Sequence, residues 1–203
     1  MKLNGIERVA MNNPVRAAHQ HYREARWFRD LAGGDLSGQT VLEIGCGRGV
    51  GVEVIVDRLR ADRVIAFDVD ETQVQRARHR LAARPPGQVT LSVGDAADIE
   101  LPSHSVDTVV DFGVIHHVPD WQRAVAEIAR VLRPGGRLLF EEVPRHVLDT
   151  WTFRTFTAHP RQNRFEAQEF AQELNEHHLR GTGRPRTAVG GMAFIGCAIH
   201  TPR

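Results

Sequence analysis

The stretch VLEIGCGRGVG, Val41 to Gly51, joins a short apolar run to four glycines at alternate positions: Gly45, Gly47, Gly49 and Gly51. One carboxylate, Glu43, interrupts the run. A short, near-continuous apolar run is what a strand covered on both faces requires. Glycine permits positive φ and lets another molecule approach the backbone closely. The helical pattern that follows, GVEVIVDRLRA, begins with backbone N–H groups that have no partner inside the helix. In an open α/β sheet, ligands bind beyond the carboxyl ends of the strands. The stretch is therefore built to hold something against bare backbone.

Four more runs of the same kind follow: RVIAF (63–67), VTLSV (89–93), VDTVVDF (106–112) and RLLFEEV (137–143). Helical patterns separate them. DETQVQRARHRLAAR starts at a capping Asp70 and stops at Pro85-Pro86, and DWQRAVAEIARVL starts at Asp120 and ends at RPGG. Strand alternating with helix predicts βαβ units and a doubly wound parallel sheet. Before the first strand, PVRAAHQHYREARWFRDLA (14–32) reads as a helix. After the fifth come the aromatics Trp151, Phe153, Phe156 and Phe165, a helix in EAQEFAQELNEHHL, and the run TAVGGMAFIGCAIH. The Gly190-Gly191 pair there is suited to join two antiparallel strands.

The bulk numbers fit one globular domain. The 203 residues are 41% hydrophobic and 25% charged, and Lys+Arg (26) balances Asp+Glu (25). A chain of this size buries roughly 70% of its unfolded surface. The balance gives no sign of a polyanion partner. Two cysteines, Cys46 and Cys197, make neither a disulfide framework nor a metal-ligand pattern, and they suit a reducing cytoplasm. The N-terminus has no apolar signal core, and no apolar run approaches the ~18 residues that span a membrane. The expectation is a soluble cytoplasmic protein.

The glycine loop is not a dinucleotide fingerprint. Gly-x-Gly-x-x-Gly requires a third glycine at position 50 or 52, and both are valine. What stands instead is Glu-x-Gly-x-Gly-x-Gly, Glu43 to Gly49. Acidic residues follow at the next two strand ends. Asp68 lies about 20 residues beyond the first glycine, where a carboxylate can accept ribose hydroxyls. Asp95, after the third strand, can accept from an adenine amino group.

With these residues in place the chain resembles the class I S-adenosylmethionine-dependent methyltransferases. Within them it is similar to the small-molecule, ubiquinone/menaquinone-biosynthesis-like branch, methyltransferase type 11. The stretches VLEIGCGRGVG, VIAFDVDETQVQRAR, VGDAADIELPSHSVDTVV, GVIHHVPD and ARVLRPGGRLLFEEV carry the resemblance, over roughly residues 38–143. It implies a Rossmann-like, seven-stranded, mostly parallel sheet with an antiparallel last strand, AFIGCAIH, and helices on both faces. It implies S-adenosylmethionine as cofactor and S-adenosylhomocysteine as product. Glu43 and the backbone of Gly45 and Gly47 would hold the methionine portion. Asp68 would bind the ribose, Val69 would pack on the adenine, and Asp95 with the backbone of Ala96 would meet its amino group. Asp111 and Phe112 would bring a backbone carbonyl to the methionine amino group. The whole chain would be one domain: a helical lid (1–36), a cofactor-binding core (37–143) and an acceptor-side lid with the terminal strands (144–203).

DFGV stands where adenine-amino and glutamine methylases carry Asn-Pro-Pro-Tyr, which argues against those acceptors. A small-molecule acceptor is expected, with no nucleic-acid or membrane partner, no metal, and a monomer or homodimer. Displacement at a sulfonium needs mainly alignment and dryness; a base matters when the acceptor arrives protonated. His116, matching the base of similar O-methyltransferases, is the first candidate and His117 the second. Glu141, Glu142, His146 and Tyr22 are weaker ones. Tyr22, Trp27 and Phe28 either close over the cofactor or complete the core. The competing reading is a protein of this fold that binds the cofactor without methylating, as a regulatory binder or a rearrangement catalyst.

Overall fold

The computed structural model describes residues 14–151 and 162–201. Phe153 and Phe156, expected in the acceptor-side wall, lie outside the described residues. The strands are β1 (Thr40–Ile44), β2 (Arg63–Asp68), β3 (Val89–Val93), β4 (Val106–Phe112), β5 (Leu132–Glu142), β6 (Leu179–Gly181), β7 (Arg186–Ala188) and β8 (Ala193–His200). They form one sheet in the order β3-β2-β1-β4-β5-β8-β6, with β7 also on β8. Pairing is parallel from β3 through β5 and antiparallel between β5 and β8. The eight strands fill seven positions, because β6 pairs with Leu179↔His200 at one end of β8 and β7 with Ala188↔Ala193 at the other.

Two cores explain why β1 reads as continuously apolar. Leu42 and Ile44 point into one, with Val109, Leu138 and Phe140; Val41 points into the other, with Val64, Val110 and Leu139. The first is closed by helices α5 (Trp121–Val131) and α7 (Ala167–Glu176). The second is closed by α2 (Ala25–Ala32), α3 (Val50–Asp57) and α4 (Glu71–Arg80). A strand clad on both faces has no solvent side to mark with polar residues.

The N-terminal helical stretch is interrupted. α1 (Pro14–His19) passes through a π-helical turn (Gln20–Glu24) into α2. That turn sets residues five apart over each other, and His19 Nδ1 meets Oε1 of the fully buried Glu24 at 2.7 Å. α3 ends at Asp57, short of the expected Ala61, as Arg60 turns to positive φ (66°). β5 starts at Leu132 rather than 137: the pairing register shifts between Val106 and Thr108, and Pro134-Gly135-Gly136 is absorbed as a bulge with Gly135 at φ 77°. A short helix, α6 (Arg145–Leu148), follows β5. No helix among the described residues is long and apolar enough to cross a membrane.

The chain runs β1, β2, β3 outward, then crosses back to set β4 on the other side of β1. This reversal opens a crevice at the carboxyl ends of β1 and β4.

Candidate functional site

A cleft with about 1100 Å³ of space free of protein atoms, part of it open to solvent, fills that crevice. Glu43, Gly45, Gly47, Asp68, Val69, Asp95, Ala96, Phe112 and His117 all line it. Asp111 and His116 do not line it.

Each glycine has its own reason. Gly45 turns the chain out of β1 at φ 64°, and a β-carbon there would stand 2.5 Å from Val114 Cγ2. Gly49 caps α3 at φ 86°. Gly51 lies inside α3, where a β-carbon would fall 1.9 Å from Glu43 Oε1 and 2.8 Å from the Phe112 ring. The fourth glycine of the run thus makes room for the carboxylate of the strand before it.

That carboxylate is 2% exposed, and its Oε2 has no hydrogen-bond partner among the described residues. Burial first, then the nearby charges of Asp68 and Asp111, push the Glu43 carboxyl up to about 8. Asp68 is fixed at the end of β2: Gly47 N–H donates to its Oδ2 at 2.9 Å and Asp70 N–H to its Oδ1 at 2.8 Å. Burial still raises it above the usual carboxylate range. Cys46 N–H donates to the Phe67 carbonyl at 2.9 Å, so two bonds tie the glycine loop to β2. Asp95 holds its own turn through Ala97 N–H at 2.9 Å. Val69 is 40% exposed to the cleft, an apolar side chain awaiting an apolar partner.

The ends of β4 and β5 hold a second acidic group. Asp111 and Glu142 are both fully buried and near enough for their charges to interact. Burial, then the Glu142 charge, raises Asp111 well above its ordinary value. Val114 N–H also donates to Asp111 Oδ1 at 2.8 Å. Glu142 accepts from Ile115 N–H at 2.7 Å and from His116 N–H at 3.3 Å, and its Oε2 lies 2.5 Å from His116 Nδ1. The ring of His116 packs on that of His117, centroids 4.3 Å apart and planes tilted by 36°. So the 3-10 turn Ile115–His117 presents His117 to the cleft and turns His116 inward.

The remaining candidates are placed elsewhere. Tyr22 is exposed, under the guanidinium of Arg58 at 5.3 Å. Phe28 is core, packed on Phe112 at 5.2 Å, and Trp27 borders the same core. Phe165 joins Trp121 and Phe170 in the other core, while Trp151 is exposed. His146 pairs with Glu166 at the surface, and Glu141 is buried away from the cleft. Cys46 is buried, and burial pushes its thiol up, against a nucleophilic role. The described residues include no group of three or more metal-ligating side chains. Among the lining residues that the sequence reading missed are three long polar side chains: Gln20 from the π-helical turn, Arg48 in the loop, and Gln73 on α4. Gln73 is 4% exposed with an unpartnered Oε1. Its place in the first turn after the Asp70 cap, above the end of β2, was the available signal.

The set suits a cationic ligand of nucleoside type. Buried acids held above their ordinary range are stabilised in ionised form by an adjacent positive charge. Glu43, a cleft-lining carboxyl whose buried Oε2 has no partner among the described residues, is the acceptor placed for it.

Comparison with known proteins agrees. Residues 42–140 match the family described as a methyltransferase domain. A probable S-adenosylmethionine-dependent methyltransferase of Mycolicibacterium smegmatis is 47% identical over 103 residues, 51% of this chain and 37% of that protein. The phthiotriol/phenolphthiotriol dimycocerosates methyltransferase of Mycobacterium tuberculosis is 30% identical over 152 residues, 73% of this chain and 52% of that one. The chain therefore spans between a third and about half of these relatives' lengths. The solved structure of a SAM-dependent methyltransferase from Aquifex aeolicus shares the fold, with a TM-score of 0.77 at 20% identity, covering 98% of this chain and 100% of that one. By its matched domain and its fold, this chain belongs to the class I S-adenosylmethionine-dependent methyltransferases, in the type 11 branch, a family whose cofactor is S-adenosylmethionine.

Proposed function

We propose that this chain transfers a methyl group from S-adenosylmethionine to a small-molecule acceptor in the cytoplasm. The observation that carries the reading is Glu43: a buried carboxyl lining a cleft at the switch point, its Oε2 without a partner among the described residues and its Oε1 given room by Gly51. When bound, the cofactor supplies a methyl group already activated on a sulfonium. Glu43 meets the ammonium of its methionine end, beside the backbone of Gly45 and Gly47. Asp68 has one lone pair per oxygen taken by Gly47 and Asp70 and offers the others to the ribose hydroxyls. Val69 packs on the adenine, and Asp95 and the Ala96 backbone read its edge. Asp111 and Phe112 contribute backbone, since the Asp111 side chain does not line the cleft and its Oδ1 accepts from Val114 N–H.

These contacts align the donor for in-line displacement and keep water out. Where the acceptor arrives protonated, the histidine pair takes its proton; His117 is the member that lines the cleft. A base so placed contributes about 10²–10⁴-fold. Phthiotriol/phenolphthiotriol dimycocerosates, for which one relative is named, support an acceptor that is neither nucleic acid nor protein.

The test is incubation with methyl-labelled S-adenosylmethionine and a small-molecule extract. The expected result is S-adenosylhomocysteine formed in step with a labelled small molecule. Tight cofactor binding with no labelled product from any extract would favour the non-methylating reading instead. Label appearing in RNA or protein would overturn the acceptor class.

A further inference from the structure

Glu142 has no part in the cleft wall, yet it is the most heavily used side chain at this end of the sheet. Its Oε1 accepts Ile115 N–H at 2.7 Å. Its Oε2 accepts the His116 and Val143 N–H groups at 3.3 Å each and faces His116 Nδ1 at 2.5 Å. Asp111 completes the shell. The Ile115 and His116 backbone N–H groups are donors, so each oxygen of Glu142 already accepts one of them. A carboxylate at Nδ1 requires that nitrogen to carry the proton, which leaves the basic lone pair of the ring on Nε2. His116 Cε1 lies 3.6 Å from where a β-carbon on Gly113, a cleft-lining residue, would stand.

We infer that Glu142 is the positioning residue of the histidine pair: it pins the Ile115–His117 turn through two backbone N–H groups and locks His116 as the Nδ1–H tautomer. Through the ring contact between His116 and His117 the same carboxylate sets the face that His117 shows to the cleft. This rests on the reading of the pair as the proton acceptor for methyl transfer, and it assigns the acid behind the pair, which that reading leaves unnamed.

Glutamine is the informative replacement, because it has the same shape but only one acceptor. Its amide oxygen can serve Ile115 or His116 Nδ1, and its NH2 then opposes the other donor. Long-range ¹H–¹⁵N correlation spectra of the histidine rings read the outcome directly, with His116→Gln identifying the signals. Wild type is expected to show His116 protonated at Nδ1 at neutral pH. Glu142→Gln should lose that signature, and Glu142→Asp, with two acceptor oxygens, should recover it at least in part. His116 protonated at Nε2 in wild type, or an unchanged tautomer in Glu142→Gln, would overturn the inference. Should Glu142→Gln not fold, the wild-type tautomer alone decides. Calorimetry with S-adenosylhomocysteine on wild type separates the two levels: no binding there fails the functional reading, whatever the tautomer, while binding with the wrong tautomer fails only the role of Glu142.

Discussion

Glu43 and Glu142 stand at the carboxyl ends of two strands of one sheet, both almost completely buried, and their surroundings are opposite. Both oxygens of Glu142 are in use: backbone N–H groups and a histidine ring take them. Glu43 keeps an oxygen without a partner, and a glycine is spent inside a helix to give it room. A buried polar atom left unpaired costs about 1–3 kcal/mol. At Glu43 the unpartnered oxygen belongs to a carboxyl that lines the cleft, whereas Glu142 stands off the cleft and commits its oxygens to the protein. Burial alone would not have told them apart.

Removing the saturated acid should have the largest effect. Glu142→Ala strands two or more buried N–H donors and the His116 ring, and is expected to cost about 3–5 kcal/mol in denaturant unfolding. A cost near that of an exposed substitution would mean the shell around Glu142 contributes little.

Next comes the cofactor's side. Asp68→Ala should lower S-adenosylhomocysteine affinity by roughly 10- to 100-fold in calorimetry, the loss of a charge-assisted hydrogen-bonding group. Unchanged affinity would detach the end of β2 from the ligand.

Gly51→Ala sharpens the comparison at a single methyl group. In an ordinary helix the change would stabilise by up to about 1 kcal/mol. Here the β-carbon meets Glu43 Oε1, so the expectation is a net cost of about 1–3 kcal/mol from overpacking, together with weaker cofactor binding. A more stable protein with full affinity would show that Glu43 can move aside.

The pH profile of stability offers a further contrast, read as a slope. From the ordinary value of 4.5 up to about 8, the unfolded chain has released the Glu43 proton and the folded chain still holds it. Folding then takes up a proton, so stability falls as pH rises, by about 1.4 kcal/mol per unit at most, and levels off above about 8. Glu43→Gln should flatten that part of the profile; an identical profile would mean Glu43 is ionised in the free protein.

The sheet was legible because its strands are short apolar runs set between caps and prolines. β1, β3, β4 and β8 begin and end where the runs do. The bulge in β5 was not legible, since Pro134-Gly135-Gly136 reads equally as the end of a helix. At the site, Glu43, Asp68 and Asp95 were legible because topology alone puts strand ends at the crevice. The division between His116 and His117 was not: a three-residue 3-10 turn follows neither the strand nor the helix period. Nor was the difference between Glu141 and Glu142, which depends on what a distant turn presents to each. Gly51 was visible as a glycine, and its purpose became clear only when the carboxylate of the preceding strand was seen in the space its β-carbon would take.

The most direct measurement is calorimetry of S-adenosylhomocysteine binding at pH 7 in two buffers of different ionisation heat. Glu43 enters as a neutral acid and must ionise against the ligand's ammonium. Wild type should therefore bind with release of close to one proton, and Glu43→Gln should bind more weakly with none. Absence of binding, or binding by wild type that releases no proton, would contradict the assignment of the open oxygen of Glu43 to the cofactor.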